Sequence, residues 1–211
     1  MIKVFAFATP NSLKVPIALE ELGLAYELHA VNVKSGAQRA PEFLALNPNG
    51  KVPVLVHSDE QGGERRVLTE SAAILVHLAE VHGALLPREG AARFEVFEQL
   101  FFHASAVSPA FGQAGFYRKL AAQSQPLALE RFSTEAHRVT ALLDQRFANH
   151  RFAAGFDYSI ADIAHFGWFW RHEFPGVDLA VYPHVARWHA QMLERPAVQR
   201  AIQRVTALAA A

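Results

Sequence analysis

The chain has 211 residues, no cysteine, and 20 Lys+Arg against 20 Asp+Glu. A chain of this length can bury about 70% of its unfolded surface, in one large domain or two small ones, and its 51% apolar, 19% charged composition disfavours disorder, while its zero net charge gives no footprint for nucleic acid. Without a thiol of its own it has no disulfide, no thiolate metal ligand and no cysteine nucleophile, so any thiol chemistry must use a thiol brought in as substrate.

The N-terminal stretch "KVFAFATPNSLKVPIALEELG" reads as strand, polar turn and helix, the helix over about residues 12–22 with Gly23 closing it. No long apolar h-region precedes the turn, and no run approaches the length of a membrane span, so a cytoplasmic protein with no membrane attachment is expected. "AYELHAVNV", residues 25–33, alternates as a second strand, and the pair flanking a helix predicts a parallel βαβ unit. A Gly-, Pro- and Asn-rich segment follows, with a short helix over residues 41–46. "VPVLVH", residues 52–57, and "RVLT", residues 66–69, predict a hairpin across a turn containing Gly62-Gly63. Ser71 then stands ready to cap a helix whose Ile74, Leu75, Leu78 and Ala79 share a face, with Gly83 at its end.

From residue 91 the pattern is helical and aromatic, with no further strand. Phe132, Ala136, Val139, Leu143 and Phe147 recur at helical spacing, and "YSIADI" carries a capping box between Ser159 and Asp162. Pro183 and Pro196 open two last helices, and "TALAAA" reads as a frayed tail. The expected organisation is a small α/β domain over residues 1–82, a linker over 83–90, and an all-α domain over 91–211. Among the 11 histidines, His165 with His172 and His184 with His189 fit no metal-ligand spacing, so no metal is expected.

The turn "ATPNS", the strand "KVPVLV", the helix opening "ESAAI" and "YSIADI", in this order and spacing, resemble the glutathione S-transferase family, most of all its bacterial nu-class, disulfide-reductase-like members. The resemblance spans essentially the whole chain. It implies a thioredoxin-like N-terminal domain that binds glutathione, an all-α C-terminal domain that helps hold the second substrate, and a homodimer. Val52-Pro53 matches the family's cis-proline dipeptide, whose backbone would pair with glutathione as an added strand. Glu70-Ser71 matches the residues that receive the γ-glutamyl group, Gln38 a position near the glutathione backbone, and Arg131 an arginine that reaches glutathione in a neighbouring subunit. Lys51 adds positive charge beside Val52. Each has a plain alternative: a trans proline opening an edge strand, a helix cap, a solvated surface side chain.

In the nu class the pair facing sulfur corresponds to Thr9 and Asn11, while delta- and theta-like relatives use a serine in this turn, which makes Ser12 the rival. Donors to sulfur lower a thiol pKa, and none of the three needs to act as a base. Asn11 or Ser12 would equally serve as a simple helix cap. The tyrosine of other classes is absent here, Phe5 and Phe7 standing in its place. Phe111, Phe116 and Tyr117 lie where the family's helical domain overhangs the thiol, and are candidates for the second-substrate pocket or simply core. The expected reaction uses the glutathione thiolate on a disulfide, an organic hydroperoxide or a small apolar electrophile. A non-catalytic interaction or regulatory protein of the same fold is the other reading.

Overall fold

A computed structural model describes residues 1–58 and 65–209, and the expected turn at Gly62-Gly63 lies outside the described residues. By packing, the chain divides into two compact units, Met1–Ala84 with Glu194–Ala211, and Leu85–Leu193.

The first unit is built on a four-stranded sheet in the order β2-β1-β3-β4. Strand β1 (Ile2–Ala6) runs parallel to β2 (Glu27–Ala30) and antiparallel to β3 (Val54–His57), which pairs antiparallel with β4 (Arg66–Leu68). Phe5 packs with Val54, Val56, Val31 and Phe43 on one face, the last from the short helix α2 (Pro41–Leu44). Val4, Ala6 and Leu55, which alternation turns to the other face, are fully buried.

Helix α1 (Pro10–Glu21) packs on β1, on α3 (Ser71–His82) and on α9 (Pro196–Ala207). Being covered on several sides explains why residues 12–19 of α1 are all buried instead of forming one apolar stripe. The α9 contact brings the C-terminal segment, which the sequence groups with the helical half, onto the α/β unit. Its buried Ala197, Val198, Ala201 and Val205 form one face, while Arg195 pairs with Glu21 and Arg200 and Arg204 with Glu20. Amphipathic spacing marks that face but does not say which helix covers it. The helix runs through Thr206 and Ala207, into the segment read as frayed.

In the second unit, α4 (Ala91–Phe102) passes through a π-turn (His103–Val107) into α5 (Ser108–Lys119), followed by the amphipathic α6 (Pro126–Asn149), α7 (Ile160–Phe169) and α8 (Pro183–Leu193). Every residue of α7 is buried. Its start is fixed by the capping box, both halves of which are formed. The Asp162 carboxylate accepts from the Ala153 and Ser159 N–H groups at 2.8 and 3.0 Å, from the Ser159 hydroxyl at 3.3 Å and from the Trp188 indole at 3.0 Å.

Candidate functional site

The turn after β1 is organised by Thr9, which caps α1 with extended backbone and accepts from the Ser12 N–H at 3.3 Å. Pro10 occupies the first helical position, where its missing N–H costs nothing. Neither Asn11 nor Ser12 is therefore the cap: the helix starts two positions earlier than an Asn11 cap would require and three earlier than a Ser12 cap would, and both lie within its first turn. The Ser12 hydroxyl is fully buried, 2.9 Å from the Thr9 hydroxyl, and accepts from the Phe7 N–H at 3.3 Å. It ties the end of β1 to the start of α1 from behind. Thr9 and Asn11 are only half-buried.

One residue not singled out by sequence joins this turn to the next helix. Lys14, only 2% exposed, donates to Asn11 Oδ1 at 2.7 Å and to Ser71 Oγ at 3.3 Å. Burial pushes its ammonium down to about 7, with nearby Glu70 acting in the opposite sense. The available signal was a lysine three residues after Asn11, on the same helical face, inside an otherwise apolar run.

Helix α3 begins at Ser71, so the cap position falls on Glu70 and not on Ser71 as the sequence suggests. Glu70 has φ 63° and ψ 110°, a left-handed backbone unusual for a residue with a Cβ, and its side chain makes no capping bond. Its carboxylate is exposed, while its carbonyl accepts from the Ile74 N–H at 3.0 Å. The opening of α3 thus presents a carboxylate, a hydroxyl and the N–H groups of a helix N-terminus side by side.

The Val52–Pro53 peptide bond is cis. The loop leading to it is held by Asn47, also absent from the sequence candidates, whose buried side chain donates to the Lys51 carbonyl at 2.7 Å and accepts from the Asn49 N–H. The Lys51 side chain is exposed. Gln38 lies in a 3₁₀ turn (Ala37–Arg39), its Oε1 buried without a hydrogen-bond donor among the described residues.

In the helical unit, Arg131 is exposed on α6 and lines an open groove with Leu127, Glu130 and Glu135. Phe111 is fully buried, its ring against Trp168 and Phe169. Full burial makes that ring core, leaving it no free surface for a substrate. Phe116 is exposed, and Tyr117 stacks on Phe132 at 5.7 Å while meeting Phe116 edge-on at 5.2 Å. Among the described residues no cluster of three metal-ligating side chains occurs, and no helix is long and apolar enough to cross a membrane.

Set beside known proteins, residues 8–81 match the family model of the glutathione S-transferase N-terminal domain and residues 101–196 that of the C-terminal domain. The chain is 39% identical over 203 residues to the disulfide-bond oxidoreductase YfcG of Escherichia coli, covering 96% of this chain and 94% of that protein. It superposes with TM-score 0.89 on a glutathione transferase family member from Pseudomonas fluorescens solved with two glutathione molecules bound, at 38% identity and with 95% and 92% of the two chains covered. A glutathione transferase from Pseudomonas putida, solved with one glutathione disulfide per subunit, also superposes with TM-score 0.89, at 36% identity and 96% and 90% coverage.

Proposed function

The chain belongs to the glutathione S-transferase family, and from that premise we propose that it is a glutathione-dependent oxidoreductase acting on small disulfides and organic hydroperoxides, with conjugation of apolar electrophiles a slower use of the same thiolate. The observation that carries this reading is the half-buried donor pair Thr9 and Asn11 at the start of α1, in a chain with no cysteine to place there. Free glutathione, at the ordinary thiol pKa of about 8.5, is only a few per cent thiolate at neutral pH. The Asn11 amide, the Thr9 hydroxyl and the positive end of α1 all favour the charged form. When Thr9 turns its proton to sulfur, the Ser12 hydroxyl can donate to Thr9 in return, since it already accepts from the Phe7 N–H. Ser12 in this reading supports the donor and does not touch sulfur.

The thiolate attacks one sulfur of a disulfide, forming a mixed disulfide and releasing one thiolate. A second glutathione thiolate attacks the glutathione sulfur of that intermediate, giving glutathione disulfide and the second thiolate, and each released thiolate takes up a proton. With a hydroperoxide, the first attack gives an alcohol and glutathione sulfenic acid, which condenses with the second glutathione to release water. The γ-glutamyl end is assigned to Glu70, Ser71 and the α3 N-terminus, the cysteinyl backbone to Val52 ahead of Pro53, and the rest of the tripeptide to Gln38 and Lys51. Phe116 and Tyr117 are assigned to the second substrate, and Arg131 to glutathione in a neighbouring subunit. We also propose a homodimer, supported by the exposed Phe94 and Phe101 of α4, and a cytoplasmic location, where reduced glutathione is maintained.

The test is capture of the purified chain on immobilised glutathione, followed by oxidation of glutathione with a small disulfide, an organic hydroperoxide and, for conjugation, an aromatic halide. Binding with disulfide turnover exceeding conjugation is expected. Absence of both binding and turnover contradicts the reading, and binding without any turnover favours a non-catalytic interaction protein.

A further inference from the structure

A protonated lysine carries three donors and no acceptor. The atom of Asn11 that faces Lys14 at 2.7 Å is therefore its carbonyl oxygen, and the amide NH₂ points the other way. The same logic applies at 3.3 Å to Ser71, whose oxygen accepts from the ammonium and whose proton is left to point elsewhere. These are the two side chains assigned above to two parts of glutathione, the sulfur of its central residue and the γ-glutamyl group.

We propose that Lys14 is a positioning residue that sets two parts of the glutathione site as donors, turning the Asn11 amide nitrogen toward sulfur and the Ser71 proton toward the γ-glutamyl carboxylate. The proposal rests on the glutathione reading above. In this role Lys14 acts through its two neighbours and does not touch the ligand. Its charge lies behind both anionic groups and adds to the donor effect of each.

The balance is sensitive to pH, because burial holds Lys14 near 7. The neutral amine keeps two donors but gains a lone pair, which can accept the Ser71 proton and withdraw it from the ligand. The charged group that pulls on Lys14 is Glu70, from the start of α3. Of the other charged or titratable groups on elements packed against α1, His77, Glu80 and His82 lie in the later part of α3, Lys3 of β1 is near Glu27, and Arg195, Arg200 and Arg204 at α9 pair with Glu20 and Glu21 at the far end of α1. Binding a ligand carboxylate should raise the Lys14 pKa, so the complex takes up a proton near neutral pH.

Three measurements on the full chain test this. Titration calorimetry of the wild type with S-methylglutathione, whose sulfur cannot ionise, is run in buffers of different ionisation enthalpy between about pH 7 and 8.5. Proton uptake of several tenths per site is expected, with affinity weakening as pH rises. In Lys14→Met the uptake disappears, glutathione binds about tenfold more weakly, and the thiolate absorbance of bound glutathione titrates about one pH unit higher. Lys14→Arg, which keeps charge and donors, recovers most of the thiol shift. Lys14→Met should melt no lower than wild type below pH 7, since it removes a buried charge. Wild-type binding without proton uptake overturns the proposal, as does a Lys14→Met variant whose thiol titrates where the wild type's does. Failure of the wild type to bind glutathione at all strikes instead at the functional reading.

Discussion

Among the described residues, two charged side chains, Asp162 and Lys14, lie in the interior, one in each unit, and they are satisfied in different ways. Asp162 is surrounded by donors that belong to the framework: two backbone N–H groups, the hydroxyl of its own capping box and the Trp188 indole. Lys14 is bonded to Asn11 and Ser71, side chains that are only half-buried and that belong to the rim of the proposed glutathione site. A buried charge whose partners are backbone and core rings holds a fold together. A buried charge whose partners are rim side chains dictates what that rim offers a ligand.

The largest expected effect breaks the framework side of this contrast. Asp162→Ala leaves the Ala153, Ser159 and Trp188 donors unpaired in the interior and should cost about 4 kcal/mol of unfolding free energy, measured by urea denaturation. Any molecules that remain folded should bind glutathione as the wild type does, and a specific loss of glutathione affinity there would erase the distinction drawn here.

Asn11→Ala tests the rim. Removing one preorganised donor to a charged sulfur should lower kcat/KM for disulfide reduction about 100-fold, while the unfolding free energy changes by less than about 1 kcal/mol. Ser12→Ala should show the reverse balance. It strands the buried Phe7 N–H, costing about 1–2 kcal/mol of stability, and reduces turnover much less than Asn11→Ala. The opposite ordering of the two variants' rates would move the sulfur contact to the serine.

Packing alone is tested at Gly115, where an added Cβ would lie 2.0 Å from the Phe174 ring. Gly115→Ala should cost about 1–3 kcal/mol with the glutathione thiol pKa unchanged, as read by melting temperature and thiolate absorbance.

Stability also depends on pH within each window, and the two buried charges give slopes of opposite sign. Burial pushes the Asp162 carboxyl from 3.8 up to about 6, so stability that is fully present below 3.8 is lost as pH rises through 6. Lys14 is lowered from 10.5 to about 7, so its burial cost is complete below 7 and is relieved as pH rises from 7 to 10.5. Each contributes a slope of at most about 1.4 kcal/mol per pH unit within its window. Urea unfolding across both windows should show the alkaline gain vanish in Lys14→Met and the acid-side loss vanish in Asp162→Asn.

Sequence periodicity located the strands, the helices and the capping box at Ser159 and Asp162, because each depends on near neighbours along the chain. It could not find what depends on contacts across the sequence. The α9 stripe is visible, but its docking on α1 rests on arginines meeting Glu20 and Glu21 some 170 positions away. Phe111 and Tyr117 both read as pocket or core, yet one is sealed in the core and the other is half-buried and stacks on Phe132. Glu70 looks like an ordinary residue before a cap, and its left-handed backbone appears only once α3 is in place. Thr9, Asn11 and Ser71 enter the proposed site because the family motif marks them. Lys14 is not marked, since a lysine in a helix reads as solvated until the packing around α1 buries it.

The central claim is that the start of α1 stabilises a borrowed thiolate. Its most direct test is the ultraviolet titration of glutathione bound to the wild type and to Asn11→Ala. The thiol should titrate at least one pH unit below the ordinary value of about 8.5 on the wild type and move back toward it on the variant; a wild-type complex whose thiol titrates at the free value would contradict the account.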